Sequence, residues 1–264
     1  MERRRITLGT IGCDPELFFL DKNTNEVISA EGIIPGTKEE PHFISGEGHM
    51  IQLDNVLVEF GTPPAKSLEE FHNHLEFVFR YLKDTYGDKY IIGKMASAEL
   101  DDKYLQSEQA LLFGCEPDWN VWTMEGNPPP KAVSAQLRSA GGHVHVGISE
   151  DDPTMDETIG VVKMMDLCLG VPSILLDTDK RRKELYGKAG AFRFKPYLAE
   201  YRTLSNFWIH KKEYIDFVYN NTAKAIDMYN EKLDVEKLRP RIVDVINNNN
   251  KSEAEKLVKE FGLL

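Results

Sequence analysis

The stretch Gly141-Gly142-His143-Val144-His145-Val146-Gly147 alternates strictly. Side chains of an extended strand point to opposite faces in turn, so His143 and His145 share one face and Val144 and Val146 the other. The flanking glycines leave the histidine face open to a ligand. Imidazoles in that position can bind a metal or donate to phosphate. The plainer use is a buried strand whose histidines only hydrogen-bond. Asp14 and Glu16 are also two apart and can share a face, where they repel each other unless a cation lies between them; a solvated turn is the alternative. Glu59 lies inside the apolar run 50–60, where a carboxylate is costly unless it is ligated or paired with an arginine. Glu200 and Arg202 project from one strand face with Tyr201 on the other.

Four strand-like segments thus each offer polar groups that are hard to bury without cations. Carboxylates with one or two imidazoles, and no thiolates in a ligand spacing, suit Mg²⁺ or Mn²⁺ rather than structural zinc. An arginine among acidic ligands suits a phosphate that is itself bound to the metals. No GxxxxGK[ST] loop is present, so a bound ATP would be held by metals and arginine rather than by a helix N-terminus. The stretch 177–190 mixes Lys, Arg, Asp and Glu with glycine and includes Lys188. It reads either as a mobile active-site loop, where its basic residues would suit a triphosphate, or as a solvated connection.

These residues need elements to carry them. Residues 6–11 read as a strand ending at Gly-Cys-Asp-Pro-Glu, and Pro15 marks a bulge or an edge. An extended piece at 17–20 turns at 21–25 and returns at 26–29. Residues 31–49 read as an irregular loop. Residues 50–60 read as two short strands or one kinked at Asp54-Asn55. Ser67-Leu68-Glu69-Glu70 opens a long amphipathic helix. His72 and His74 fall on different faces of it, which is wrong for joint metal binding. A strand at 90–96 follows, then short helical turns over 99–112. Gly-Cys-Glu-Pro-Asp at 114–118 echoes 12–16, and 127–130 is a proline connector. Thr154-Met155-Asp156-Glu157 caps a helix expected to end near Gly170 and Pro172. Strands at 192–194 and 197–204 precede a helix to about 229. Two more helices, at 234–246 and 252–261, flank an asparagine connector. The arrangement reads as one domain over 1–264, with a core at 6–230 and a helical extension at 231–264.

Composition narrows the class. The chain has 264 residues, 41% hydrophobic and 28% charged, as in an ordinary globular protein that can bury a core. A formal net charge of −11 makes nucleic acid an unlikely general partner. The basic start at Arg3-Arg4-Arg5 reads as solvated. No apolar run is long enough to suggest a membrane span, and no apolar segment follows the basic start as a secretory leader requires. Three cysteines argue for a reducing, cytoplasmic setting.

Taken in order, five motifs resemble the carboxylate–amine ligase superfamily, the fold of glutamine synthetase and glutamate–cysteine ligase. They are Gly-Cys-Asp-Pro-Glu at 12–16, Val-Glu-Phe-Gly-Thr-Pro-Pro at 58–64, Gly-Cys-Glu-Pro-Asp at 114–118, Gly-Gly-His-Val-His-Val-Gly at 141–147 and Glu-Tyr-Arg-Thr-Leu-Ser-Asn-Phe-Trp at 200–208. More narrowly the chain resembles the phage phiEco32-like carboxylate–amine ligase type 2 family, from Gly12 to about Trp208. The resemblance implies an α+β fold: a curved antiparallel sheet, partly a barrel, with helices outside and metals on the concave face. It implies metal ligands at Asp14, Glu16, Glu59, His143 and Glu200. His145 would lie near the nucleotide and Arg202 beside the transferred phosphate; Lys188 of the basic 177–190 stretch is a further nucleotide-binding candidate from its charge. The family's first acidic position is Asp here, and no third glutamate stands near Glu59. The implied activity is formation of an amide or isopeptide bond from a small-molecule or peptide acid and amine, using ATP and Mg²⁺ or Mn²⁺ through an acyl phosphate, with Arg202 acting on the moving phosphoryl group. The base for the amine is open between Glu59, the other catalytic candidate, and the 177–190 loop. Two other readings compete. One is a zinc-dependent amide hydrolase using His143 and His145. The other is a ligase fold that has lost catalysis and only binds.

Overall fold

The computed structural model describes residues 4–111, 118–128 and 134–264. Most of the 114–118 motif and the prolines at 129–130 lie outside the described residues. In chain order the strands and helices are β1 (Leu8–Cys13), β2 (Glu16–Leu17), β3 (Phe19–Asp21), β4 (Val27–Ile28), β5 (His42–Phe43), β6 (Met50–Asp54), β7 (Leu57–Gly61), α1 (Leu68–Tyr86), β8 (Tyr90–Ile92), β9 (Ser97–Glu99), α2 (Glu108–Leu111), β10 (Trp119–Asn120), β11 (Glu125–Gly126), β12 (Leu137–Ser139), β13 (Val144–Ile148), α3 (Met155–Met165), α4 (Val171–Leu176), α5 (Arg182–Leu185), β14 (Ala191–Lys195), β15 (Leu198–Tyr201), α6 (Lys212–Asn230), α7 (Arg239–Asn248) and α8 (Lys251–Phe261).

The expectation of an α+β chain with antiparallel pairing holds, but not as one curved sheet. Among the described residues the strands form four sheets, and no barrel closes. The largest runs β1-β13-β15-β14-β10-β11, the next β2-β7-β6-β5, then β4-β3-β8 and β12-β9. In the largest, β13 lies between β1 and β15, with His145 opposite both Gly12 and Glu200. Period two then sorts the faces. Val144, Val146, Phe192 and Tyr201 are fully buried toward the helices, while His145, Arg193, Lys195 and Glu200 share the other side. In the second sheet Glu59 of β7 faces Glu16 on one side and Gln52 on the other. Like charges directly opposite on a sheet repel, so this register needs a compensating charge.

A single helix runs Met155–Leu176 behind the large sheet. Its start is the expected capping box, with Thr154 accepting from the Glu157 N–H and Glu157 accepting from the Thr154 N–H. The expected stop at Gly170-Pro172 does not occur. Residues Asp166–Gly170 widen into a π turn in which the Val171 N–H reaches the Asp166 carbonyl. Pro172 has no N–H to offer the Cys168 carbonyl; Asn221 Nδ2 on α6 supplies the bond at 2.9 Å. This helix is, by length and composition alone, apolar enough to cross a bilayer, against the expectation from composition; 72% of its apolar window is buried inside the fold.

The 205–229 helix is divided into a 3₁₀ turn, Asn206–His210, and α6. Helices α7 and α8 pack on α4, and Ile246, Ala254 and Leu257 belong to the same buried cluster as the sheet residues. Arg4 is exposed, as expected of the basic start, but it is also paired: its Nη2 lies 2.9 Å from Glu157.

Candidate active site

Two groups of ligand-type atoms form where the two larger sheets meet. The first is Asp14, His145 and Glu200, whose donor atoms lie within 4.8 Å of one another. Asp14 follows β1, and its two oxygens reach two imidazoles: Oδ2 is 3.1 Å from His145 Nε2, and Oδ1 is 3.3 Å from His143 Nδ1. His145 Nδ1 is 2.7 Å from the Tyr197 hydroxyl. Burial pushes the Asp14 carboxyl up, but the two imidazoles outweigh it and hold it well below the usual carboxylate range. Burial lowers His145, and the Asp14 charge and hydrogen bond more than restore it, leaving its pKa raised.

Glu200 is fully buried. Burial and Asp14 push it up, yet Arg202, His143 and His145 bring it down to about 2. Its Oε1 is bonded to Arg202 Nη1, and its Oε2 is 2.8 Å from Lys195 Nζ. Three buried atoms in this group, Asp14 Oδ1, His145 Nε2 and Glu200 Oε2, make ion-pair contacts but no well-aligned hydrogen bond.

The second group is Glu16, Asp54 and Glu59, all buried, again with donor atoms within 4.8 Å of one another. Glu16 is held by the Gly141 N–H at 2.7 Å, and Asp54 by Lys38 Nζ at 2.7 Å. Burial and then the neighbouring carboxylates of Asp14, Asp54 and Glu16 push Glu59 well above its ordinary value. Burial and Asp54 raise Glu16 too.

The glycines before β13 are packed against both the site and the helices. A Cβ on Gly142 would collide with the Ser205 carbonyl and with Trp208 Nε1, and one on Gly141 with the His143 ring. Trp208 Nε1 donates to the Gly142 carbonyl at 3.1 Å, and Asn206 Nδ2 donates to the Glu16 carbonyl at 2.9 Å. The 200–208 and 141–147 motifs therefore lock each other.

A cavity opens onto the second group, lined by Glu16, Asp54, Asp118, His143, Arg182 and Arg202 together with Leu137–Ser139, Gly141 and the 185–187 segment; the first group lies behind its His143 and Arg202. Arg202 is buried, with Nη1 3.3 Å from His143 Nδ1 and Nε 3.5 Å from Asp118 Oδ2. Of the sequence-predicted residues, Glu16, His143 and Arg202 line the cavity, while Asp14, Glu59, Glu200 and His145 stand behind them, joined through His143, Arg202 and the two groups. Their grouping is new: His143 bridges Asp14 and Arg202 rather than joining a triad, and it precedes β13 instead of lying within it. Lys188 does not join them. It is exposed, it does not line the cavity, and its carbonyl accepts a bond from Thr203 Oγ1.

Sequence reasoning missed Asp54, which supplies the third carboxylate that no glutamate near Glu59 provides. A two-residue connection at 55–56 sets Asp54 opposite Leu57 and Gln52 opposite Glu59, so reading the kink as a tight hairpin would have revealed it. Lys195 and Arg193 were missed as well, and the register of Arg193 opposite Glu200 brings them in.

Residues 132–257 match the family described as phage phiEco32-like COOH.NH2 ligase-type 2. The match covers His143, His145, Glu200 and Arg202 and continues past Trp208, while Asp14, Glu16 and Glu59 lie before it. Among solved structures the chain is similar to a bifunctional glutathione synthetase from Pasteurella multocida, with a TM-score of 0.50 and 14% identity. The likeness covers 97% of this chain and 45% of that one, so the chain spans less than half of that protein's length, and what is shared is the fold. No curated protein sequence matches the chain.

Proposed function

We propose that this chain, whose residues 132–257 match the phage phiEco32-like COOH.NH2 ligase-type 2 family, is an ATP-dependent carboxylate–amine ligase. It joins a small-molecule or peptide acid to an amine through an acyl phosphate. The observation that carries the reading is a pair of ligand triads joined by His143 and the buried Arg202, which line a cavity with Glu16 and Asp54 of one triad and contact Asp14 and Glu200 of the other. We also read the paired sheets as the open, glutamine synthetase-like catalytic surface, working in the cytoplasm of a phage-infected host.

The residues fit divalent cations. Glu16, Asp54 and Glu59 offer three oxygens, a donor set suited to Mg²⁺ or Mn²⁺. Asp14, His145 and Glu200 offer two oxygens and a nitrogen, with buried atoms that lack aligned hydrogen bonds. Bound there, the cations supply charge neutralisation to the triphosphate. Both imidazoles of a zinc hydrolase would have to reach one ion; here His143 is turned to Arg202 and Asp14.

The reaction balances in two steps. A substrate carboxylate oxygen attacks the γ-phosphorus, the bond to the β–γ bridging oxygen breaks, and ADP leaves. Arg202, fixed by Glu200 and Asp118, presents its guanidinium to the charge on the moving phosphoryl group. The amine then attacks the activated carbonyl, the acyl C–O bond breaks, and phosphate leaves. The proton lost by the amine leaves with the phosphate, and Glu59 serves the reaction through the cation it would help to hold.

The test is an ADP-release screen of amino acids, polyamines and peptides with Mg²⁺ or Mn²⁺. Release that depends on both an acid and an amine is expected. Glu16→Gln and Arg202→Ala should abolish it with circular dichroism unchanged. Wild-type turnover in either variant refutes its role, and no release with any pair favours a fold that only binds.

A further inference from the structure

Strand β6 has chemistry at both ends. Asp54 closes one end at the cavity. His49 stands just before the other end, five residues away and so about 17 Å along an extended strand. There the β5–β6 loop brings Glu47 and His49 beside His74 of α1. The donor atoms of these three residues lie within 4.8 Å of one another. His49 is 1% exposed, His74 is half-buried and Glu47 is exposed. The His49 Nε2 and His74 Nδ1 atoms are 2.9 Å apart. Their rings meet edge to face at 64°, which aims the nitrogens at each other instead of stacking the rings.

The geometry points to a third, imidazole-rich cation site at Glu47, His49 and His74, of the class that takes Zn²⁺ or Co²⁺ rather than Mg²⁺. Two imidazole nitrogens and one carboxylate are a common three-ligand zinc set, with a fourth position left to water. His49 Nδ1 lies 2.7 Å from Ser45 Oγ. With a cation bound, the tautomer required is the one in which His49 Nδ1–H donates to that hydroxyl, fixing the ring and leaving Nε2 with its lone pair; Ser45 Oγ also accepts from the Glu47 and His49 N–H groups. His74 offers Nδ1 when its own proton sits on Nε2. A cation between the two nitrogens then replaces the single proton they share, and both rings remain neutral. Phe77 packs against His49 at 4.4 Å between ring centroids, and a cleft edged by Pro63, Pro64 and Glu70 gives access from solvent.

His72 plays no part. Its Nε2 pairs with Asp216 at 2.6 Å. The sequence expectation that His72 and His74 cannot share an ion therefore stands, and the partner of His74 comes from a loop 25 residues earlier. An ion here would tie the β5–β6 hairpin to α1, independently of the ligase reading.

The test uses the full chain, stripped of metal and then saturated with Mg²⁺. Zn²⁺ is titrated by calorimetry, and Co²⁺ by its visible ligand-field bands. The wild type is expected to bind one more equivalent of Zn²⁺ than His74→Ala, with tetrahedral Co²⁺ bands that the variant lacks. Glu47→Gln, exposed and safe for folding, should weaken that equivalent at least about tenfold. Asp14→Asn should retain it, which separates it from the cavity. Equal stoichiometry in wild type and His74→Ala overturns the proposal and leaves a plain imidazole–imidazole hydrogen bond.

Discussion

Asp14 spans two imidazoles, Glu200 spans Arg202 and Lys195, and Glu59 stands opposite Glu16. The first two arrangements offset carboxylate charge with imidazole, guanidinium and ammonium groups, while the third buries like charges that a cation would relieve. Asp54 is the residue whose weight is most easily measured. Asp54→Asn removes one charge from an all-carboxylate triad, so Mn²⁺ affinity read by electron paramagnetic resonance should fall at least about tenfold. Unchanged affinity would remove Asp54 from the site. Asp166 behaves differently because its partners are neutral. It is fully buried, accepts from Trp122 Nε1 at 2.6 Å and from the Tyr201 hydroxyl at 2.8 Å, and burial pushes it up to about 6. The folded chain thus holds this proton more tightly than the unfolded chain. Its contribution is complete below about pH 4 and is lost as pH rises through 6. The stability of wild type minus that of Asp166→Asn should fall by on the order of 3 kcal/mol between pH 3 and pH 7. A flat difference in urea titrations contradicts this.

At the scale of elements, the strand faces were readable because period two needs no long-range information. Asp14 with Glu16, His143 with His145 and Glu200 with Arg202 were all visible as pairs, and the Ser67 and Thr154 caps formed where their side chains dictate. Asp54 was hidden because an aspartate before asparagine reads as turn chemistry, and its role depends on the hairpin register. The run through Pro172 was hidden for a different reason: the group that repairs it, Asn221, is about fifty residues away in sequence. Asn221 Nδ2 also donates to the Leu263 carbonyl at 2.9 Å, so it joins the π turn to the chain end. Asn221→Ala leaves two buried carbonyls without donors and should cost ~2–4 kcal/mol in denaturant unfolding. A loss below about 0.5 kcal/mol would show that the helix does not need this bond. Gly142→Ala should be still less tolerated, since the Ser205 carbonyl and the Trp208 ring have fixed positions.

For the whole molecule, the sequence carried the type of fold but not its division. Which strand pairs with which is a matter of distant contacts: β1 pairs with β13, and β2 with β7, across more than forty residues each. The four sheets, and the seam between the two larger ones, appear only once those pairs form. The seam holds the cavity, so metal and nucleotide should stabilise the whole chain. At a hundred times its dissociation constant a ligand adds about 2.7 kcal/mol, which a thermal shift with Mn²⁺ and a non-hydrolysable ATP analogue should register. The shift should vanish in Glu16→Gln.

The most direct test is the anomalous scattering of Mn²⁺ in crystals grown with that analogue. The account predicts manganese peaks flanked by Glu16, Asp54 and Glu59 and by Asp14, His145 and Glu200, with the terminal phosphate beside Arg202. Manganese absent from both triads, or a nucleotide bound elsewhere on the chain, would contradict it.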